Sequence, residues 1–117
     1  MSPLTITALD ASTGPVLEIT GDLDYATAPQ LRQAVGHLTL VGGQLLVLDL
    51  GGLEFCDSSG ITALLASRNL AIEQRVDIAL AAVPANTARI LAVVGLDRVF
   101  TIHPDTATAT APRSESL

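Results

Sequence analysis

The chain has no lysine and no tryptophan, one cysteine, and three aromatic residues in 117. Each shortage closes off a class of function. A single thiol, Cys56, cannot form an internal disulfide, and with no second thiol at ligand spacing no metal site is expected. Without lysine there is no Gly-x-x-x-x-Gly-Lys loop, and no Gly-x-Gly-x-x-Gly follows a strand-like segment, so no nucleotide or other cofactor is expected. Six arginines, spread along the chain against twelve acidic residues, leave a net charge of −6, which argues against nucleic acid and anionic membranes as partners. No apolar stretch approaches the roughly 18 to 20 residues that span a bilayer. Met1 to Leu9 lacks the basic-then-apolar pattern of a leader, and a cytoplasmic protein is expected.

What is abundant is aliphatic. Hydrophobic residues make up 49% of the chain, so the core must be built from Val, Leu, Ile and Ala, which suits a parallel sheet covered by helices. The length fits one domain.

Leu4 to Leu9 and Val16 to Thr20 alternate apolar and polar residues across a Ser12-Thr13-Gly14-Pro15 turn, which predicts a hairpin. Gly21 to Tyr25 reads as a loop. Thr27 with Gln30 has the spacing of a capping box, with Pro29 in the first turn, and Leu31, Ala34, Val35 and Leu38 continue as one apolar helix face. Leu45 to Leu50 is a nearly unbroken apolar run, the mark of a central strand buried on both faces. Gly51 to Cys56 reads as a connection, and Ile61, Leu64, Leu65, Ala71 and Ile72 give a second helix ending near Gln74. Val76 to Ala82 predicts another strand. Ala85 to Val94 predicts a helix with Ile90, Leu91 and Val94 inward and a left-handed stop at Gly95, and Val99 to Ile102 a last short strand. The tail from Pro104 has no large apolar periodicity and no good cap, so residues 104–117 are expected to be poorly structured or at most a short helix, frayed over the last ten. The order ββαβαβαβ implies an α/β fold with a mixed, largely parallel sheet of about five strands joined by right-handed crossovers.

In open α/β sheets, function gathers where strand carboxyl ends meet helix starts, and Asp57-Ser58-Ser59-Gly60 stands there after the central strand. A helix start presents N–H groups without intrahelical acceptors, so a phosphate on Ser58 or Ser59 would be tolerated. Asp57, Ser58 or Ser59 serving only as an N-cap is the plainer alternative, and spacing alone does not separate the two. Cys56 beside Asp57 is a reactive thiol or a small buried hydrophobe, and burial is the commoner case. A serine or cysteine hydrolase would need a base, and His37 and His103 both read as surface residues. The Gly-x-Ser-x-Gly elbow is absent, and no enzymatic activity is expected.

Four blocks, Gly21-Asp22-Leu23-Asp24, Val47-Leu48-Asp49-Leu50, Phe55-Cys56-Asp57-Ser58-Ser59-Gly60-Ile61 and Gly95-Leu96-Asp97-Arg98-Val99-Phe100, together resemble the STAS family of anti-sigma factor antagonists. The resemblance runs from about residue 3 to residue 103, which sets a STAS domain over 1–103. It implies a protein that, unphosphorylated, binds an anti-sigma factor with serine kinase activity, frees the sigma factor, is inactivated by phosphorylation at Ser58, and is reset by a phosphatase. It also implies that Asp22, Asp24, Asp57, Ser58, Ser59 and Gly60 share the partner-binding surface, with Ser59 a cap or minor acceptor. Family members also serve without switching, in stressosomes, transporters or lipid-transport complexes. The resemblance would add a closing helix, which the Thr/Ala-rich tail puts in doubt.

Overall fold

The computed structural model describes residues 3–112. Two strands open it, β1 (Thr5–Ala11) and β2 (Gly14–Leu23), followed by α1 (Ala28–Gly36), β3 (Leu45–Cys56), α2 (Ser58–Glu73), β4 (Asp77–Ala81), α3 (Ala85–Val93), a 3-10 turn at Leu96–Arg98, β5 (Thr101–His103) and α4 (Thr106–Thr110). The sheet order is β1-β2-β3-β4-β5. The first pair is antiparallel and the rest parallel, so the fold is the expected mixed, largely parallel α/β arrangement.

Because each parallel strand lies next to its predecessor, right-handed crossovers carry α1, α2 and α3 to one face of the sheet. Leu17, Ile19, Leu46, Leu48, Leu50 and Leu80 point to that face and meet Leu31 and Val35 of α1, Ile61 and Leu64 of α2, and Leu91 of α3. Leu46, Val47 and Leu48 are fully buried, as the unbroken apolar run requires of a central strand. The opposite face is covered differently. Val16, Val47 and Ala81 there receive Ala109 of the short α4.

Several expectations need correction. Gly51 to Cys56 is not a connection: it is the second half of β3, pairing with β2, which itself runs on to Leu23. The glycines mark irregularities rather than an end. The register shifts twice, Gly21 holds φ +102°, and a side chain at Gly52 would lie 2.6 Å from the Thr20 hydroxyl. Thr27 stands at the start of α1 but makes no side-chain cap, because its hydroxyl is already taken inside the preceding loop. In α3 only Leu91 of the three expected inward residues is buried, since the helix rests on a single Thr87/Leu91 stripe. Ile90 and Val94 are exposed, and Ile72 near the end of α2 is half exposed. Gly95 adopts the left-handed conformation that ends α3, with φ +80°.

The tail does hold a helix and a cap. The Asp105 carboxylate accepts from the Thr108 N–H at 2.7 Å, a bond that also holds its pKa below the ordinary value. Thr106 donates its hydroxyl to Asp49 at 2.7 Å and Thr13 donates to the Thr110 carbonyl at 3.4 Å, fastening α4 to the sheet. Of the last ten residues, expected to fray, 108–110 belong to α4, and 113–117 lie outside the described residues.

Candidate functional site

Asp57 is the last extended residue before α2. Its backbone is in the β region, and its carboxylate accepts from the Gly60 N–H at 3.0 Å while its carbonyl accepts the first helical bond, from Ile61 at 3.0 Å. The N-cap reading of Asp57 is therefore correct as geometry. Ser58, the first helical residue, is exposed; Ser59 is half-buried and Gly60 buried. The Ser58 carbonyl accepts from the Thr62 hydroxyl at 2.9 Å.

The β2–α1 loop is brought against this helix start by two contacts. The Asp57 N–H donates to the Leu23 carbonyl at 3.3 Å. At Gly60 a Cβ would fall 2.5 Å from that same carbonyl and 2.7 Å from the Cys56 sulfur, so the approach exists only because residue 60 has no side chain. Asp22 and Asp24 flank Leu23, and all six expected residues, Asp22, Asp24, Asp57, Ser58, Ser59 and Gly60, thus lie at one end of the sheet.

The loop is rigid by its own bonds. The Asp24 carboxylate accepts from the N–H groups of Ala26 at 3.0 Å and Thr27 at 3.1 Å, an Asx turn. The Thr27 hydroxyl donates to the Asp22 carbonyl at 2.7 Å and accepts from the Asp24 N–H at 2.9 Å. Asp24 therefore shapes the loop as well as charging it. Asp22, Asp24, Glu54 and Asp57 make this end of the molecule acidic.

Two residues singled out by the structure were not read as functional from the sequence. Tyr25 is 83% exposed at the loop tip, and Phe55, two residues before Asp57, is 52% exposed. With Phe100 buried, two of the chain's three aromatic rings stand in solvent, Phe55 three residues before Ser58 and Tyr25 on the β2–α1 loop. The signal was scarcity: in so aromatic-poor a chain, a ring placed in a polar loop is not core filler, and exposed aromatics are favoured anchors of protein interfaces. Between α1 and α2 a groove of about 490 Å³ is lined by Tyr25, Ala26, Ala28, Pro29, Arg32, Ser59 and Thr62.

Burial pushes the Cys56 thiol up to about 11, with the Asp57 carboxylate adding to the shift, so it is a packed side chain and not a nucleophile. Among the described residues no three His, Cys, Asp or Glu side chains are grouped to hold a metal ion, and no helix is long and apolar enough to cross a membrane.

Comparison with known proteins agrees with this fold. The family model described as Mlab, STAS domain matches residues 7–103. The anti-sigma-F factor antagonist RsfB of Mycobacterium tuberculosis is 34% identical over 97 residues, covering 83% of this chain and 79% of the relative. A crystal structure of an anti-sigma factor antagonist from Mycobacterium paratuberculosis superposes with a TM-score of 0.81 at 28% identity, over 94% of this chain and 96% of that one. The anti-sigma factor antagonist SpoIIAA in its unphosphorylated form shares the fold, with a TM-score of 0.71 at 17% identity and 92% of each chain covered. With the family model spanning most of the sequence and the five-stranded sheet laid out as in these structures, the chain belongs to the STAS domain family.

Proposed function

We propose that this protein is an anti-sigma factor antagonist that binds an anti-sigma factor with serine kinase activity through the Asp22–Tyr25 loop and the Asp57–Gly60 helix start. In this reading the unphosphorylated form binds and releases the sigma factor, phosphorylation at Ser58 ends the binding, and a phosphatase restores it. The observation that carries the reading is the placement of Ser58, an exposed hydroxyl at the first position of α2, locked by Asp57 and Gly60 against an acidic, rigid loop. The role of the Mycobacterium tuberculosis relative supports it.

The mechanism divides the labour. The partner brings ATP, magnesium and the catalytic base, and this chain brings a hydroxyl on a helix that need not move. The new ester adds about −1.5 to −2 charges at pH 7. They stand beside Asp57 and near Asp22, Asp24 and Glu54, so the modification deepens an acidic face instead of being neutralised on it. The first turn of α2 accommodates the group through its unpaired N–H donors, and the fold persists while the contact surface changes.

The test is incubation with ATP-binding anti-sigma factors and mapping of phosphate by mass spectrometry. Phosphate should appear on Ser58 and be lost in Ser58→Ala, which should still bind the kinase. A kinase that binds tightly yet leaves Ser58 unmodified would favour a non-switching STAS subunit.

A further inference from the structure

We propose that the groove between α1 and α2 receives a phosphate carried on Ser59, with the Arg32 guanidinium as its ion-pair partner, so that the two adjacent serines have opposite consequences when modified. This goes beyond the switching role of Ser58 and does not depend on it.

Ser58 and Ser59 are neighbours in sequence but not in surroundings. Successive helix positions are turned about 100° from one another, and here the turn separates two surfaces. Ser58 is exposed and is not among the residues lining the groove. Ser59 is half-buried, and with Thr62, three residues on and on the same face of α2, it forms one wall. The facing wall is the Ala28, Pro29 and Arg32 stripe of α1, set by the same spacing. Among the described residues Arg32 is the only charged one lining the groove; the acids closest in sequence, Asp24 and Asp57, do not line it. In a chain of net charge −6 this groove is a strip of opposite sign one residue away from the acidic face.

The geometry suits a phosphate ester. A groove of about 490 Å³ has room for it, and across from Ser59 the planar, always-charged Arg32 guanidinium of α1 offers paired donors. Formation would follow ordinary kinase chemistry with ATP as donor. The Ser59 Oγ–P bond forms as the bond from the γ-phosphorus to the bridging oxygen breaks, ADP leaves, and the hydroxyl proton passes to the kinase's base. A phosphate on Ser59 would thus tie α1 to α2 within the chain, whereas one on Ser58 stands at the helix start beside the carboxylates of the acidic face.

The experiment needs no partner, so its failure is separate from any failure of the Ser58 switch. Phosphoserine is installed during translation at 58 or at 59 in the full chain, and the second ionisation of each phosphate is followed by phosphorus NMR. The Ser59 phosphate should lose its proton about 0.5 to 1 pH unit below the Ser58 phosphate, a roughly three- to tenfold drop in proton affinity, and Arg32→Gln should erase the difference. Equal titration of the two phosphates overturns the proposal. A difference that survives Arg32→Gln also overturns it, because the helix start alone would then be responsible, as does a chain that no longer folds with phosphate at 59.

Discussion

Replacing Gly60 with alanine tests whether the helix start and the β2–α1 loop are truly one unit. The added methyl would lie 2.5 Å from the Leu23 carbonyl oxygen, 2.7 Å from the Cys56 sulfur and 3.0 Å from Leu23 Cγ. Ordinary carbon contacts begin near 3.5 Å, so α2 and β2 must separate by most of an ångström, and Leu23 is fully buried and cannot swing aside. Overpacking of this kind costs about 1–3 kcal/mol, while alanine's better helix propensity returns up to about 1 kcal/mol. The net loss should be about 1–2 kcal/mol, a shift of about 1 M in urea midpoint at a slope near 1.5 kcal/mol/M. Gly36, at the last position of α1, is the control: nothing lies within 4 Å of the methyl it would gain. There the same substitution should stabilise by up to about 1 kcal/mol. Urea unfolding of both variants measures the contrast. Gly60→Ala as stable as Gly36→Ala would refute the close approach, and with it the claim that the aspartate loop is fixed against the start of α2.

Other consequences follow from single side chains. Asp57→Ala removes the acceptor for the Gly60 N–H and should cost about 1 kcal/mol by chemical denaturation, whereas Asp57→Asn keeps an acceptor and should stay within a few tenths. If Asp57→Asn then loses Ser58 phosphorylation, the carboxylate charge and not the cap is what the kinase needs. Arg75 closes α2 at φ +59°, a conformation disfavoured for side-chain-bearing residues, so Arg75→Gly should raise stability by about 0.5–1 kcal/mol in the same assay. Cys56 should react slowly with a thiol-specific reagent at pH 7.5 and fast once unfolded. Its folded pKa of about 11 stands above the usual thiol value of 9.0, so the folded chain holds the proton more tightly, and stability should decline as pH rises from about 9 to 11.

The sequence made the sheet legible wherever burial on both faces forced an unmistakable pattern, as in Leu45 to Leu50, and wherever one residue type has one physical use, as with Gly95. It misled where glycine has two uses. Gly51 and Gly52 looked like the end of β3, but Gly52 admits the Thr20 side chain and lets the strand continue to Cys56 beside β2. That extension carries Phe55 to within two residues of Asp57. The spacing of Thr27 and Gln30 fits a capping box, yet a hydroxyl with nearer acceptors is taken by them, and the Asp22 carbonyl lies closer to hand. The short α4 stays one of two options in the sequence because five residues give no periodicity, and its anchorage depends on Asp49 and Thr13, 57 and 97 residues distant from their partners Thr106 and Thr110. At the site itself the local motif was readable, while the groove of Tyr25, Arg32 and Ser59 was not, since it exists only when α1 is packed on α2.

The central claim is that a phosphate on Ser58 abolishes binding by charge and contact, without unfolding the chain. One unit charge meeting a partner carboxylate about 5 Å away costs on the order of 3 kcal/mol at an effective dielectric of 20, before salt screening. A phosphate of about −1.5 to −2, with the lost contacts around the serine, therefore exceeds the roughly 4 kcal/mol that separates affinities a thousandfold. Isothermal titration of the anti-sigma kinase against unmodified chain and against chain carrying phosphoserine at 58 measures this directly. The account predicts a loss of at least a thousandfold with unchanged circular dichroism; a loss below tenfold, or equal binding by the two forms, contradicts it.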